Sequence, residues 1–407
     1  MLIEHVIAAF VVLLVLAHLA LPLSRLLRLP YSSVLVIVGF IASELVVLAG
    51  IDTGLRADNF HDLIFFVFIP VLVFESAYKI DEKLLLKNIV PILTLAIIGM
   101  LLTAAFTAVG LFYGIGHETG FPWVAALLTG AILAATDPVA VVASLRQVKA
   151  PERLQIMLEG ESLFNDATAI VLFGVFMSMA LAVDAAPTTG QVIGNFLLVF
   201  VGGSACGFII GFVAGYVNRY HPTAVMTGAL CLAVAYGSFL VAEKVFHVSG
   251  VMSTLVAALV MSYMVKTHLD EEHARDHDYL WDVIGHIANA FVFIVMGVVI
   301  TVGMFEDRWL AMLIAIVAVL LARAVSTYGS LGLLNLFQKE PVDIRYQTIV
   351  VWGGLRGAVT LALALSLPVE LEYWWTIQSI AFGVVLFTLF IQAPTVRMLV
   401  LKLGINY

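Results

Sequence analysis

Apolar runs of about 20 residues, the length a helix needs to cross a bilayer, recur along the whole chain, with short polar connections between them. The first six begin near Ile3, Ser33, Phe60, Ile89, Trp123 and Gln155. The others begin near Val192, Thr223, Val248, Val283, Trp309, Tyr346 and Trp375. This pattern predicts an all-α polytopic membrane protein with about 13 transmembrane helices. The weakest division lies between the eighth and ninth, where Glu243-Lys244-Val245-Phe246-His247 forms a short connection. Leu2 to Leu23 is too long for a signal-peptide core and has neither a basic start nor a small-residue cleavage site, so it counts as a helix.

The basic residues test this alternation. With the N-terminus outside, the inward loops hold Arg25, Arg28, Lys79, Lys83, Lys87, Arg146, Lys149, Arg153, Arg219, Lys266, Arg275, Lys339, Arg345, Arg397 and Lys402. The outward loops hold only Arg56, Lys244 and Arg308, and Arg323 and Arg356 fall within spans. Positive charge collects on the cytoplasmic side of membrane proteins, and a helix miscounted mid-chain would scramble the skew. The reading is N-terminus outside, C-terminus cytoplasmic, in a plasma (inner) membrane. An odd number of spans permits two inverted six-helix repeats joined by one extra helix, an arrangement that places broken helices at matching positions near the midplane.

Composition agrees. Hydrophobic residues make up 62% of the chain and charged residues 12%, with a mean hydropathy of +1.08, far from the balance of soluble domains. The longest polar stretch, Lys266 to Asp282, reads as a solvated inward loop carrying His268, His273 and His277. Cys206 and Cys231 lie in apolar runs without metal-ligand spacing. His18 and Glu44 are lone polar groups, read as helix contacts.

Chemistry concentrates in two breaks. Thr136-Asp137-Pro138 interrupts the fifth span, because Pro138 lacks an N–H and drives Asp137 out of the helical region. Gly353-Gly354-Leu355-Arg356-Gly357 weakens the twelfth, the corresponding span of the second repeat. The breaks are expected to cross at the midplane. The sixth span carries Glu161, Ser162, Asn165 and Asp166, with Ser162 and Asp166 one turn apart on one face. A carboxylate at the bilayer centre costs about 2.5–3.5 kcal/mol on insertion scales and marks an ion or proton path. Oxygens from Asp166, Ser162 and Thr136 suit a hard monovalent cation such as Na⁺, and desolvation lets a proton compete for the same carboxylate. The plainer alternative is interhelical hydrogen bonding by Asn165 and Asp166. Arg323, buried in the eleventh span, needs an acid, and Glu161 is its natural partner in a structural ion pair. Arg356 is expected to satisfy carbonyls freed at the second break. Glu75, late in the third span, is either a site ligand or an interfacial acid.

These residues, with Ile69 to Ala77, His247-Val248-Ser249-Gly250, Trp281 to Gly297 and Trp352 to Leu361, resemble the cation/proton antiporter superfamily, specifically the sodium/proton exchangers of the NhaP and eukaryotic exchanger branch. The resemblance implies thirteen helices and a homodimer. It also implies a core bundle of about 88–184 and 308–400 moving against an interface bundle of about 3–80 and 220–304, with 191–217 as linker. It makes Asp166 the ion carrier, aided by Thr136, Asp137 and Ser162, and Glu161–Arg323 a buried pair. Many relatives carry a long cytosolic tail after the last helix, whereas this sequence stops at Tyr407.

The expected function is antiport of Na⁺ (or Li⁺) against H⁺, with K⁺/H⁺ exchange as a variant of the same fold. A cation channel fits matched broken helices less well. No cofactor, enzyme activity or nucleic-acid partner is expected: no span carries a His-Glu-x-x-His pair and no phosphate loop occurs. With Asn165 rather than a second aspartate before Asp166, exchange is expected to be electroneutral and one-for-one.

Overall fold

The computed structural model describes residues 3–27, 29–48, 63–115, 121–181, 189–220, 223–266 and 271–405. Arg28, Arg56, His268 and the predicted start at Phe60 lie outside them. The longer helices of the first half are α1 (Ile3–Leu27), α2 (Tyr31–Leu48), α3 (Ile69–Lys79), α4 (Met100–Gly114), α5 (Trp123–Ala134), α6 (Val139–Gln147), α7 (Glu152–Ala180) and α8 (Thr189–Asn218), with short helical turns at Glu82–Lys87 and Ile89–Leu93. The second half contributes α9 (Ala224–Leu240), α10 (Gly250–Lys266), α11 (Glu271–Val299), α12 (Val302–Asn335), α13 (Ile344–Trp352), α14 (Ala358–Leu365), α15 (Trp374–Phe387) and α16 (Ala393–Lys402). π-Turns at Leu63–Phe68, Thr94–Gly99, Val241–Val245 and Thr388–Gln392 extend or join several of them. The described residues contain no strand, as expected where lipid leaves a backbone no partner but itself.

Nine stretches among the described residues are long and apolar enough to cross a membrane by length and composition, and Tyr31–Val46 and Gly250–Lys266 are apolar but shorter. Those criteria carry nine of the expected crossings. Of the remaining expected crossings, two are these shorter helices, one is α3 with the π-turn that leads into it, and one is split into α13 and α14 by the glycine break. Two stretches differ from the sequence reading. The polar stretch before Asp282 is helical from Glu271 onward, because Glu271 to Trp281 contains no glycine or proline to stop a helix that continues into the bilayer. The residues before the eleventh span are also helical from Val302, and a break at Arg308 (φ −130°, ψ 18°), whose guanidinium donates to Thr376 Oγ1 at 3.0 Å, separates them from the helix that starts near Trp309 as expected.

Two sets of contacts organise the helices. α8 packs on α10, α10 on α3 and α2 on α11, while α4 packs on α5 and α12, α12 on α15 and α7 on α5. Several of these packings rely on close backbone approach, the device that stands in for a hydrophobic driving force within lipid. Gly39 of α2 and Gly297 of α11 face one another: a Cβ on Gly297 would fall on the Val36 carbonyl oxygen, and one on Gly39 on that of Ile294. Gly297→Ala should therefore force α2 and α11 apart and destabilise the protein by about 1–3 kcal/mol, the usual cost of overpacking. Gly329→Ala on α12, where a Cβ meets open space, should be neutral or stabilising. Thermal unfolding of both variants in detergent checks this, and equal behaviour would count against the close approach.

Candidate ion-binding site

α5 ends at Ala134 and the chain stays extended through Ala135 until Pro138 caps α6. Unpaired backbone groups at this depth are costly, so each freed group raises the question of its partner. Arg356 Nε donates to the Leu133 carbonyl at 2.9 Å, and Thr360 Oγ1 to that of Ala135 at 3.4 Å. The Thr136 N–H donates to Asn165 Oδ1 at 3.3 Å, and its carbonyl accepts from Ser162 Oγ at 2.5 Å. The Asp137 N–H donates to the Leu355 carbonyl at 2.8 Å. That bond joins the two breaks directly, so the broken segments cross. Arg356 also donates to the Gly354 carbonyl, and so serves freed carbonyls at both breaks.

The glycines of the second break make room for charge. A Cβ on Gly357 would overlap the Asp137 carboxylate, and one on Gly354 would sit 2.9 Å from Arg323 Nε. Asp137 accepts from the N–H of Val139 at 3.0 Å and from that of Ala358. Each donor opens a half-helix, α6 and α14, whose N-terminus carries partial positive charge.

α7 presents two faces to this crossing. Glu161 and Asn165 point into the packed interior. Glu161 Oε1 lies 2.5 Å and Oε2 2.8 Å from Arg323 nitrogens, with both residues about 1% exposed. Asn165 is fully buried and does not line the cavity: its amide nitrogen donates to Thr136 Oγ1 at 2.6 Å, and its oxygen accepts from the Thr136 backbone. The structure thus places Asn165 behind the break it holds. The other face carries Ser162 and Asp166 into a cavity of about 360 Å³. Thr136, Asp137 and Pro138 line it from the first break, Gly357 from the second, and Glu75 from α3. Among the described residues, no donor holds the Asp166 carboxylate, although the Asp137 and Glu161 charges act on it.

Gly353 packs against Val141 of α6 behind the cavity. Toward the cavity mouth stand residues absent from the sequence reading of the site. Lys79 contacts both Glu75, at 2.6 Å, and Asp282, and Arg146 pairs with Glu159 at 2.8 Å. The Glu75–Lys79 pair had a sequence signal, a four-residue spacing on one helix. Asp282 had none, because its proximity to Lys79 is made by the packing of α11 on α3.

Residues 11–402 match the family described as "Sodium/hydrogen exchanger, transmembrane". The Na(+)/H(+) antiporter ApNhaP of Aphanothece halophytica is 36% identical over 93% of this chain and 70% of its own length. The low-affinity Na(+)/H(+) antiporter NhaS1 of Synechocystis is 31% identical over 91% of this chain and 69% of its own. The solved sodium proton antiporter MjNhaP1 from Methanocaldococcus jannaschii superposes with a TM-score of 0.83 over 99% of both chains at 20% identity. At that identity the match speaks for architecture, and it is the all-α architecture expected from the succession of apolar runs.

Proposed function

The chain belongs to the sodium/hydrogen exchanger family, a transporter family whose members span the membrane many times, and from that premise we propose that it exchanges Na⁺ (or Li⁺) for H⁺ by alternating access. The observation that carries this reading is the unequal treatment of two neighbouring carboxylates. Asp137 is held by two helix N-termini, whereas Asp166 faces the cavity with no donor of its own among the described residues. Asp166 is free to take either a proton or a cation. Ser162 and Thr136 supply neutral oxygens beside it, the ligand set that suits a hard monovalent ion. Asp137 balances the site without titrating, Asn165 positions the Thr136 peptide, and Pro138, Gly353, Gly354 and Gly357 shape the crossing. Glu75 guards the approach.

Fixed charges support one-for-one exchange. Glu161 faces Arg323, Asp137 accepts from backbone N–H groups of the breaks, and Arg356 donates to a carbonyl at each of them. At the breaks Asp166 is the remaining charge, and one proton or one Na⁺ neutralises it equally. The cavity opens beside Lys79 and Arg146, residues of the basic, cytoplasmic face, so the conformation is inward-open in a plasma (inner) membrane with the N-terminus outside. A homodimer, with an interface bundle of α1–α3 and α9–α11 supporting the bundle that holds the breaks, completes the reading. α8 is the linker.

Purified protein in liposomes loaded with a pH dye tests it. Na⁺ and Li⁺ pulses should collapse a pH gradient, K⁺ and Ca²⁺ should not, and low pH should slow uptake until more cation is added. Membrane potential is worth about 2.3 kcal/mol per charge per 100 mV, so potentials clamped with K⁺ and valinomycin should leave the reversal point unmoved. A reversal point that shifts with voltage would show a second titrating group, with Asp137 the first to examine.

A further inference from the structure

Glu75 occupies an unusual position in the cavity wall. It lies back against α11 because Gly285 has no side chain: a Cβ there would sit 2.8 Å from the Glu75 carboxyl carbon. One turn further along α3, Lys79 reaches back to it at 2.6 Å and also touches Asp282. One ammonium thus serves two carboxylates of different character, Glu75 with 18% of its side chain exposed and Asp282 with 66%. On the facing wall the other cation of the cavity, Arg146, has its own partner in Glu159, and Asp137 and Asp166 lie among the lining residues.

We propose that Lys79 is a tethered competitor for the transported cation at Glu75, and that Asp282 sets how often it withdraws. A lysine ammonium is a compact point charge on a flexible stem, so it can swing between two acids without becoming unpaired. When it rests on Asp282, the inner carboxylate is open to an arriving Na⁺. When it rests on Glu75, the negative charge that draws a cation toward Asp166 is cancelled. Lys79 and Asp282 are positioning residues: neither touches the ion, and both act through Glu75. This inference rests on the antiport reading above.

The test is the apparent KM for Na⁺ in proteoliposomes, against the maximal rate. Lys79→Met should lower KM by about threefold to fivefold, the factor a partly exposed ion pair typically supports, while Lys79→Arg should keep it near the wild-type value. Asp282→Asn should raise KM by a similar factor, since the lysine then has only Glu75. In the Lys79→Met/Asp282→Asn double variant, KM should match that of Lys79→Met alone. An unchanged KM in Lys79→Met, or an Asp282→Asn effect that persists without the lysine, overturns the proposal. If Lys79→Met fails to fold, Asp282→Asn, at an exposed position, still decides through its KM: a rise supports the competitor, and no change overturns it. Wild-type protein that moves no Na⁺ would instead sink the antiport reading itself.

Discussion

Asp166→Asn is expected to abolish cation-dependent proton flux, to the level of protein-free liposomes, while leaving the protein folded. The substitution conserves shape and removes only the capacity to be anionic in one half of the cycle and neutral in the other. No donor among the described residues is lost, because none holds the Asp166 carboxylate. Without donors and beside the like charges of Asp137 and Glu161, the carboxylate carries a cost in the fold, so the amide variant should melt no lower than wild type, and its gain in stability would mirror its loss of function. Asp137→Asn is the informative contrast. Its carboxylate accepts from two half-helix N-termini, and an amide there both weakens those bonds and turns a donor toward them. That variant should lose stability as well as transport. Flux from Asp166→Asn liposomes clearly above the protein-free background would remove this residue from the mechanism.

How far the site was legible depends on whether its cause is local. Thr136-Asp137-Pro138 declares a break through the chemistry of proline, and Gly353 to Gly357 through the absence of side chains, so both breaks could be placed from sequence. The Glu161–Arg323 contact followed from charge accounting in lipid, where a lone guanidinium has no other recourse. What sequence could not show is which face of α7 meets which neighbour. Asn165 and Asp166 are adjacent in the chain, yet one is spent on the Thr136 peptide and the other opens to the cavity. Hydropathy likewise finds where a helix enters lipid rather than where it begins, which is why α11 starts at Glu271, well before its apolar part. The kink at Arg308 and the sharing of Lys79 between α3 and α11 arise from packing, and no run of residues announces them.

The Glu161–Arg323 pair offers the largest expected change in stability, and the order of its single variants is itself diagnostic. Removing one partner of a buried pair strands the other charge and costs about 3–5 kcal/mol. The two ends are not equivalent here. Gly354 brings Arg323 and Arg356 close together: a Cβ on that glycine would sit 2.9 Å from Arg323 Nε and 3.2 Å from an Arg356 terminal nitrogen. Glu161 acts on both cations. Glu161→Ala therefore leaves two buried guanidinium groups facing one another with no carboxylate between them. Arg323→Ala leaves Glu161 with Arg356 still nearby, at the further loss of the 3.3 Å bond from Arg323 to the Val350 carbonyl. Glu161→Ala should be the more destabilising of the two. The double variant should cost less than the sum of the singles, with a coupling of about 0.5–3 kcal/mol, the range for residues in one network. Reversible unfolding of the four proteins in bicelles measures all three quantities. Additive losses would mean that the two side chains stabilise the fold separately, and equal singles would mean that Arg356 does not share the carboxylate.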